Sequence, residues 1–127
     1  MRQLNHVGIY VRSIEEASRI YERLGCTVER TVRYMAPNGT EVPIAFIPLA
    51  GGVDLELIEW PQALDDGAEP LHHICFEVED IAAEWARLKA DGVSVATAEP
   101  RQGVAARLIG FLDPEAADGV RIELAEL

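Results

Sequence analysis

Alternation of apolar and polar residues predicts strands in two places of the chain that resemble each other. The stretch Leu71–Val78 reads LHHICFEV, in which Ile74, Phe76 and Val78 occupy every second position. The stretch Leu4–Val11 reads LNHVGIYV and alternates in the same way. A period of two is that of a strand with one buried face. We therefore predict two equivalent strands, each carrying an imidazole on its mixed, polar face, from His6 and His73.

A constant offset extends this resemblance through the chain. The two histidines lie 67 residues apart, and the same offset relates Gly25 to Gly92. It also relates the segment VDLELIE, Val53–Glu59, to VRIELAE, Val120–Glu126. A repeat that persists without a gap indicates an internal duplication, and repeats determine architecture. Two copies are too few for a solenoid and predict a pseudo-symmetric pair, in which a second polar match is Glu56 with Glu123.

Each half of the chain has the same order of predicted elements. Ser13 and Asp80 are predicted N-caps of helices over Ile14–Leu24 and Ile81–Ala90. The other alternating segments predict further strands, which are Cys26–Tyr34, Pro43–Leu49, Val53–Trp60, Val93–Ala96, Arg107–Leu112 and Val120–Glu126. Each half therefore reads β-α-β-β-β. This order favours an α+β fold with helices on one face of a mostly antiparallel sheet.

The domain organisation follows from the repeat and the length. A chain of 127 residues can bury a core as one domain. The segment 61–70, PQALDDGAEP, has the proline, glycine and acidic content of a linker. We expect one domain over 1–127, made of a module 1–60 and a module 71–127 joined by this linker.

Charge and composition exclude several partners. The formal net charge is −11, which argues against binding to nucleic acid or to an anionic membrane surface. No apolar run approaches the roughly 20 residues of a spanning helix. Two cysteines do not make a disulfide framework, and the N-terminus enters a strand without a signal-peptide pattern. We expect a cytoplasmic protein with no membrane partner.

The polar faces of the repeat-related strands carry the candidate chemistry. His6, Glu56, His73 and Glu123 share one parity, and two-fold pseudo-symmetry would bring them around one axis. Two imidazoles and two carboxylates suit one divalent ion such as Zn, Ni, Co, Mn or Fe. The alternative is that each histidine is satisfied within its strand and each glutamate is solvated. A buried pair of glutamates without a cation would repel and take up protons, which favours the metal site.

Other polar residues near these positions have weaker interpretations. Cys75, Glu77 and Tyr10 share the predicted cleft face and are interpreted as wall residues. His72 falls on the opposite face from His73, where packing or a backbone hydrogen bond is its expected role.

Three segments in the second half resemble a known family. They read LHHICFEVEDI, EPRQG and FLDPEAADGVRIEL. Together with the four candidate ligands, they are similar to the vicinal oxygen chelate (VOC) superfamily, the glyoxalase, bleomycin-resistance and extradiol-dioxygenase group, and most of all to methylmalonyl-CoA epimerases. The resemblance covers essentially the whole chain. It implies two tandem βαβββ modules that form a metal-binding cleft, and a homodimer.

The resemblance also implies an activity. We expect a metal-dependent isomerase or epimerase that acts through a metal-stabilised enolate, with Glu123 or Glu56 as the catalytic base. The expected substrate is a small molecule with vicinal oxygens, with an acyl-CoA as the candidate. The alternatives are a glyoxalase I-like lactoylglutathione lyase and a non-enzymatic drug-binding resistance protein.

The sequence departs from the epimerase pattern at several positions. Val104, Ala105 and Ala106 replace a glycine and histidine that the family usually carries. A strand position that can hold a catalytic acid in the family corresponds to Pro43 here, with Glu41 nearby. If neither ligand carboxylate is the base, Glu41 and Glu77 are the next candidates.

Overall fold

The computed structural model describes residues 1–127 and divides into two compact units. The N-terminal unit comprises residues 6–72, and the C-terminal unit comprises residues 1–5 together with residues 73–127. The units therefore exchange the first residues of their opening strands. Glu77 N donates to Gln3 O at 2.9 Å within the C-terminal unit, and Tyr10 N donates to Pro70 O at 2.7 Å within the N-terminal unit.

The N-terminal unit contains four strands and a long helix. Its elements are β1 (Leu4–Val11, whose first two residues belong to the C-terminal unit), α1 (Ile14–Arg23), β2 (Arg30–Met35), β3 (Glu41–Leu49), β4 (Val53–Glu59) and the short helix α2 (Pro61–Asp65). The strand order is β2-β3-β4-β1. β3 pairs antiparallel with β2 and β4, whereas β1 runs parallel to β4.

The C-terminal unit repeats this plan with a reduced sheet. Its elements are β5 (Leu71–Glu77, whose first two residues belong to the N-terminal unit), α3 (Ile81–Ala90), β6 (Leu108–Phe111), a 3₁₀ turn (Pro114–Ala117) and β7 (Ile122–Glu126). The strand order is β5-β7-β6, with β5 parallel to β7 and β6 antiparallel to it. Both units thus have mixed pairing, and because three of these five strand pairs are antiparallel, the prediction of mostly antiparallel pairing is confirmed.

The predicted helix N-caps and glycine stops are confirmed in both units. Ser13 Oγ accepts from Glu16 N at 3.2 Å, and Asp80 Oδ1 accepts from Ala83 N at 3.0 Å. Each helix is followed by a glycine with positive φ, +83° and +79°. Only a residue without Cβ adopts this conformation without strain, so each helix ends where the sequence indicates. These two glycines are Gly25 and Gly92.

Each helix packs on one face of its unit's strands. In the N-terminal unit, Ala45, Ile47 and Leu57 form a buried cluster against Ala17 and Tyr21 of α1. In the C-terminal unit, Ile81 and Trp85 of α3 are buried with Leu124 and Val78. The apolar parity of the alternating segments is therefore the helix-covered parity. The opposite parity holds the predicted ligands.

Three predicted segments differ from the structure. The strand expected over Cys26–Tyr34 begins only at Arg30, as β2. The expected strand Val93–Ala96 is reduced to an isolated bridge between Val95 and Leu112. Thr97 Oγ1 accepts from Phe111 N at 3.0 Å, so a side chain occupies the donor that a regular ladder would use. The expected linker contains α2, which begins at Pro61, where a proline without N–H is tolerated.

The two longest helices, α1 and α3, have ten residues each. None of the helices combines the length and apolar content that crossing a bilayer requires.

Candidate metal centre

The N-terminal unit brings together His6 and Glu56. Parallel pairing places Gly8 opposite Glu56, and His6 precedes Gly8 by two residues on the same face. Because Gly8 has no side chain, the carboxylate meets no group on the strand position beside it. His6 Nε2 lies 3.4 Å from Glu56 Oε2. Both residues are buried, at 6% and 9% exposure.

The C-terminal unit brings together His73 and Glu123 in the same way. Cys75 pairs with Glu123, and His73 precedes Cys75 by two residues on the same face. His73 Nε2 lies 2.9 Å from Glu123 Oε2, and the two residues are 6% and 5% exposed. Each unit therefore holds one buried imidazole–carboxylate pair at repeat-related positions.

An aromatic residue stands opposite each of these carboxylates. Phe46 of β3 pairs with Glu56, and Phe111 of β6 pairs with Glu123. The two rings have different partners. The Phe111 ring meets His73 edge to face, with centroids 5.5 Å apart, whereas Arg30 lies over Phe46 at 4.0 Å from the ring centroid.

The residues interpreted as wall residues have specific neighbours. Cys75 is 0% exposed, and its sulfur lies within 4.8 Å of a carboxylate oxygen of Glu123. Glu77 Oε1 accepts from Asn5 Nδ2 at 3.0 Å. The ring of Tyr10 packs on the ring of His72, with centroids 4.3 Å apart. The prediction of a packing role for His72 is thus confirmed.

Pro43 and Glu41 do not share the face of Glu56. Phe46 pairs with Glu56, so the odd-numbered residues of β3 lie on the other face, where Ala45 packs with α1. Glu41 forms an ion pair with Arg33 at 3.3 Å. Glu41, which is near Pro43 in the sequence, therefore lies on the opposite face of the sheet from Glu56, because a one-residue step reverses the face of a strand.

A cleft of about 860 Å³ opens in the N-terminal unit beside α2. The strand residues that line it include Arg33, Glu41, Pro43 and Glu59, which lie on the opposite face of the strands from Glu56. Neither His6 nor Glu56 lines it. This cleft is therefore separate from the imidazole–carboxylate pair.

Four residues with repeated roles in the two units were not predicted from the sequence. Phe46 and Phe111 were not identified, because their strands are aligned only by the observed register. The other two are carboxylates at the helix N-termini. Glu59 Oε1 accepts from Ile14 N at 2.8 Å, and Glu126 Oε2 accepts from Ile81 N at 2.9 Å. The offset of 67 residues relates Glu59 to Glu126 and was the available signal.

The donor set in each unit fits a divalent ion. Buried charged groups are stable only when they are paired or bind a metal. Imidazole and carboxylate are both ligands of divalent first-row transition metals. The residues present in both units are therefore suited to metal binding.

The fold and these pairs define a class of protein built from two duplicated modules, each with a helix on one face of its strands and a buried imidazole–carboxylate pair on the other. A family model described as the Glyoxalase/Bleomycin resistance protein/Dioxygenase superfamily matches residues 5–111. The chain belongs to this superfamily. The predicted fold class is confirmed with it.

Individual relatives agree with this assignment. The chain is 34% identical to the uncharacterised protein YqjC of Bacillus subtilis over 136 residues, covering 99% of this chain and 93% of the relative. It is 32% identical to the ethylmalonyl-CoA/methylmalonyl-CoA epimerase of Cereibacter sphaeroides over 137 residues, covering 98% of both. The crystal structure of methylmalonyl-CoA epimerase from Mycobacterium tuberculosis superimposes with a TM-score of 0.81 at 26% identity, covering 98% of this chain and 87% of that one. The predicted resemblance to methylmalonyl-CoA epimerases is confirmed.

Proposed function

We propose that this protein is a metal-dependent epimerase that inverts the configuration at the acidic α-carbon of an acyl-CoA with vicinal oxygens. The observation that carries the proposal is the duplicated buried pair, His6 with Glu56 and His73 with Glu123. Relatives named as epimerases of methylmalonyl-CoA and ethylmalonyl-CoA supply the substrate class.

The proposed centre combines both pairs around one ion. The four residues occupy repeat-related positions, so a pseudo-two-fold relation between the modules would direct all four donors to one point. Two carboxylates would compensate the charge of a divalent cation. The mixed nitrogen and oxygen donors suit Co, Ni, Mn, Zn or Fe. An ion bound there would act as a Lewis acid toward the substrate carbonyl.

The protein's own groups would move the proton. Glu123 is the proposed general base. Its carboxylate is buried beside His73, and it would accept the α-proton when its bond to the metal ion loosens. A base must reach within hydrogen-bond distance of the α-carbon. Glu56 is the alternative base at the equivalent position. The apolar residues around Phe46, including Ile44 and Ile58, would exclude water from this face.

The setting of the reaction also belongs to the proposal. Cys26 and Cys75 are both free thiols, which fits a reducing cytoplasm. We infer a homodimer from the resemblance to the superfamily. Light scattering at micromolar concentration tests this assembly, and a strict monomer that still binds metal would contradict it.

The test of the function is α-proton exchange. The metal-loaded protein is incubated with methylmalonyl-CoA in deuterated water, and we expect incorporation of deuterium and inversion. The hemithioacetal of methylglyoxal is the parallel substrate. Turnover of the hemithioacetal alone would replace the epimerase with a lyase, and turnover of neither substrate would reject both activities.

The test of the centre is metal content. We expect one divalent ion per chain, and we expect His73→Ala to lose it because the remaining ligands do not complete the geometry. His72→Ala is the matched control, since this neighbouring imidazole packs on Tyr10. Full retention of metal in His73→Ala would contradict the ligand assignment.

A further inference from the structure

We propose that Arg30 binds an anionic group of the substrate and thereby sets substrate specificity. The inference rests on the proposed function and adds a recognition residue that lies outside the ligand set. The group recognised is an oxyanion, a carboxylate or a phosphate, because a guanidinium offers a planar fork of donors that matches both.

The strand register places Arg30 on the face of the imidazole–carboxylate pair. Arg30 of β2 pairs with Phe46 of β3, and Phe46 pairs with Glu56 of β4. Residues paired directly across strands project to the same face. Arg30, Phe46 and Glu56 therefore form one row. Two strand spacings separate the backbone positions of Arg30 and Glu56, about 10 Å.

The phenylalanine orients the guanidinium. Arg30 Cζ lies 4.0 Å from the centroid of the Phe46 ring, within cation–π distance. Phe46 is itself fixed, because it is only 2% exposed and packs with Val42 and Ile44. A rigid ring under an exposed guanidinium limits the conformational freedom that binding an anion would otherwise cost.

Two comparisons within the chain distinguish Arg30 from an ordinary surface arginine. Arg33 of the same strand lies on the other face and pairs with Glu41 at 3.3 Å. Arg30 is exposed and forms no ion pair within the chain. In the C-terminal unit, the row through Glu123 and Phe111 ends at Ala96 and Thr97, whose amides donate to Phe111 O. Only one of the two repeated rows therefore ends in a cation.

The experiment compares wild-type protein with Arg30→Gln on two thioesters of methylmalonate. One is methylmalonyl-CoA, and the other is the N-acetylcysteamine thioester, which lacks the phosphates. We expect Arg30→Gln to raise KM by about tenfold to 100-fold with little change in kcat, the loss typical of a charged hydrogen bond. Arg30→Lys should fall between the two, since it keeps the charge and loses the planar fork. Arg33→Gln is the matched control and should behave as wild type.

Each outcome decides the proposal. A KM increase with both thioesters identifies a carboxylate as the recognised group, and an increase with methylmalonyl-CoA alone identifies a phosphate. An unchanged KM with both, or an equal increase in Arg33→Gln, overturns the assignment. If wild-type protein turns over neither thioester, the proposed function fails by itself. Calorimetry with coenzyme A and with methylmalonate then tests Arg30 for the phosphate and for the carboxylate, and equal Kd values for wild type and Arg30→Gln with both ligands overturn it.

Discussion

The two units pack a helix against equivalent strands with different residues. At one helix position the C-terminal unit has Trp85, which is 1% exposed, and the N-terminal unit has Ser18 at the position 67 residues earlier. Across from it, Gly110 pairs with Leu124, whereas Ala45 pairs with the equivalent Leu57. A Cβ on Gly110 would lie 2.5 Å from the Trp85 ring. The large side chain and the missing side chain therefore compensate each other, as close packing requires.

On the opposite face of the strands, the two units have the same polar and aromatic residue types at the imidazole–carboxylate pair. Both units retain a histidine on the opening strand, a glutamate on the closing strand and a phenylalanine opposite that glutamate. The difference between the faces indicates that the core tolerates compensated volume changes, whereas the opposite face keeps a histidine, a glutamate and a phenylalanine in each unit. That face varies at Gly8 and Cys75, which pair with Glu56 and Glu123. It also varies in the ring contacts of the phenylalanines, where Arg30 contacts Phe46 and His73 contacts Phe111.

The largest expected effect separates the two equivalent glutamates. We predict that Glu123→Gln keeps some metal and loses α-proton exchange by about 10²–10⁴-fold, because glutamine retains a carbonyl ligand and has no basicity. Glu56→Gln should bind metal with a smaller loss of exchange. The measurement is deuterium exchange of metal-saturated protein, and the control is His6→Ala, which should lose metal and exchange together.

The reverse result would exchange the roles of the two modules. Wild-type exchange in Glu123→Gln with loss in Glu56→Gln makes Glu56 the base. If neither variant changes the rate, the base lies outside the ligand set. Glu77 is then the next residue to test, since Cys75 and Glu77 lie on the face of Glu123.

The repeat made most of this fold predictable from sequence. The β1 boundaries, the helix Ile81–Ala90 and the shared parity of His6, Glu56, His73 and Glu123 follow from alternation and a gapless offset. These features are local or duplicated, so the sequence contains their signal twice. Whether one ion joins the two pairs stays a prediction.

The features that sequence analysis missed depend on register. The parallel pairing of β1 with β4 and of β5 with β7 is a contact between distant segments, which a local period of two does not encode. The stacking of Arg30 on Phe46 depends on the same kind of alignment. Val95 lost its predicted strand because the hydroxyl of Thr97 replaced a ladder acceptor.

The next largest effect tests the compensation between Trp85 and Gly110. Trp85→Ala should destabilise the protein by about 3–5 kcal/mol, because a large buried ring and the Trp85 Nε1 bond to Thr97 O at 3.0 Å are lost. Gly110→Ala should cost about 1–3 kcal/mol through overpacking. Chemical denaturation measures both free energies of unfolding.

A double variant sharpens this test. Trp85→Leu together with Gly110→Ala should be more stable than the sum of the single effects predicts, because the new methyl group occupies space released by the ring. Ala45→Gly is the control in the other unit and should cost about 1 kcal/mol. Strict additivity in the double variant would show that the two positions do not compensate each other.

A smaller effect concerns the carboxylates at the helix N-termini. Glu59→Ala removes the acceptor of Ile14 N and should cost about 1 kcal/mol. Glu126→Ala should cost more, up to about 2 kcal/mol, because Glu126 also pairs with Arg107. Thermal unfolding compares them, and Glu→Gln at each position should recover part of the loss by keeping an oxygen. Equal costs at the two positions would show that the Arg107 pair adds nothing.

The smallest expected effect belongs to the C-terminal unit alone. Hydrogen bonds from Arg87 and then from Arg2 hold the pKa of the Glu84 carboxyl below its ordinary value, while the position 67 residues earlier is Ala17. A lowered carboxyl pKa stabilises the folded protein above the ordinary carboxyl range, and this stabilisation is lost as the pH falls through the lowered pKa. Wild type should therefore exceed Glu84→Gln in stability by about 0.5 kcal/mol at neutral pH and low salt, since the site is near the surface. The difference should disappear in acid and shrink in high salt.

Glu15→Gln, from an exposed pair with Arg19 in α1, is the matched control and should show a smaller difference in stability from wild type. If the difference in unfolding free energy between wild type and Glu84→Gln is constant with pH, packing stabilises the N-terminal segment against α3, and the charge on this carboxylate does not.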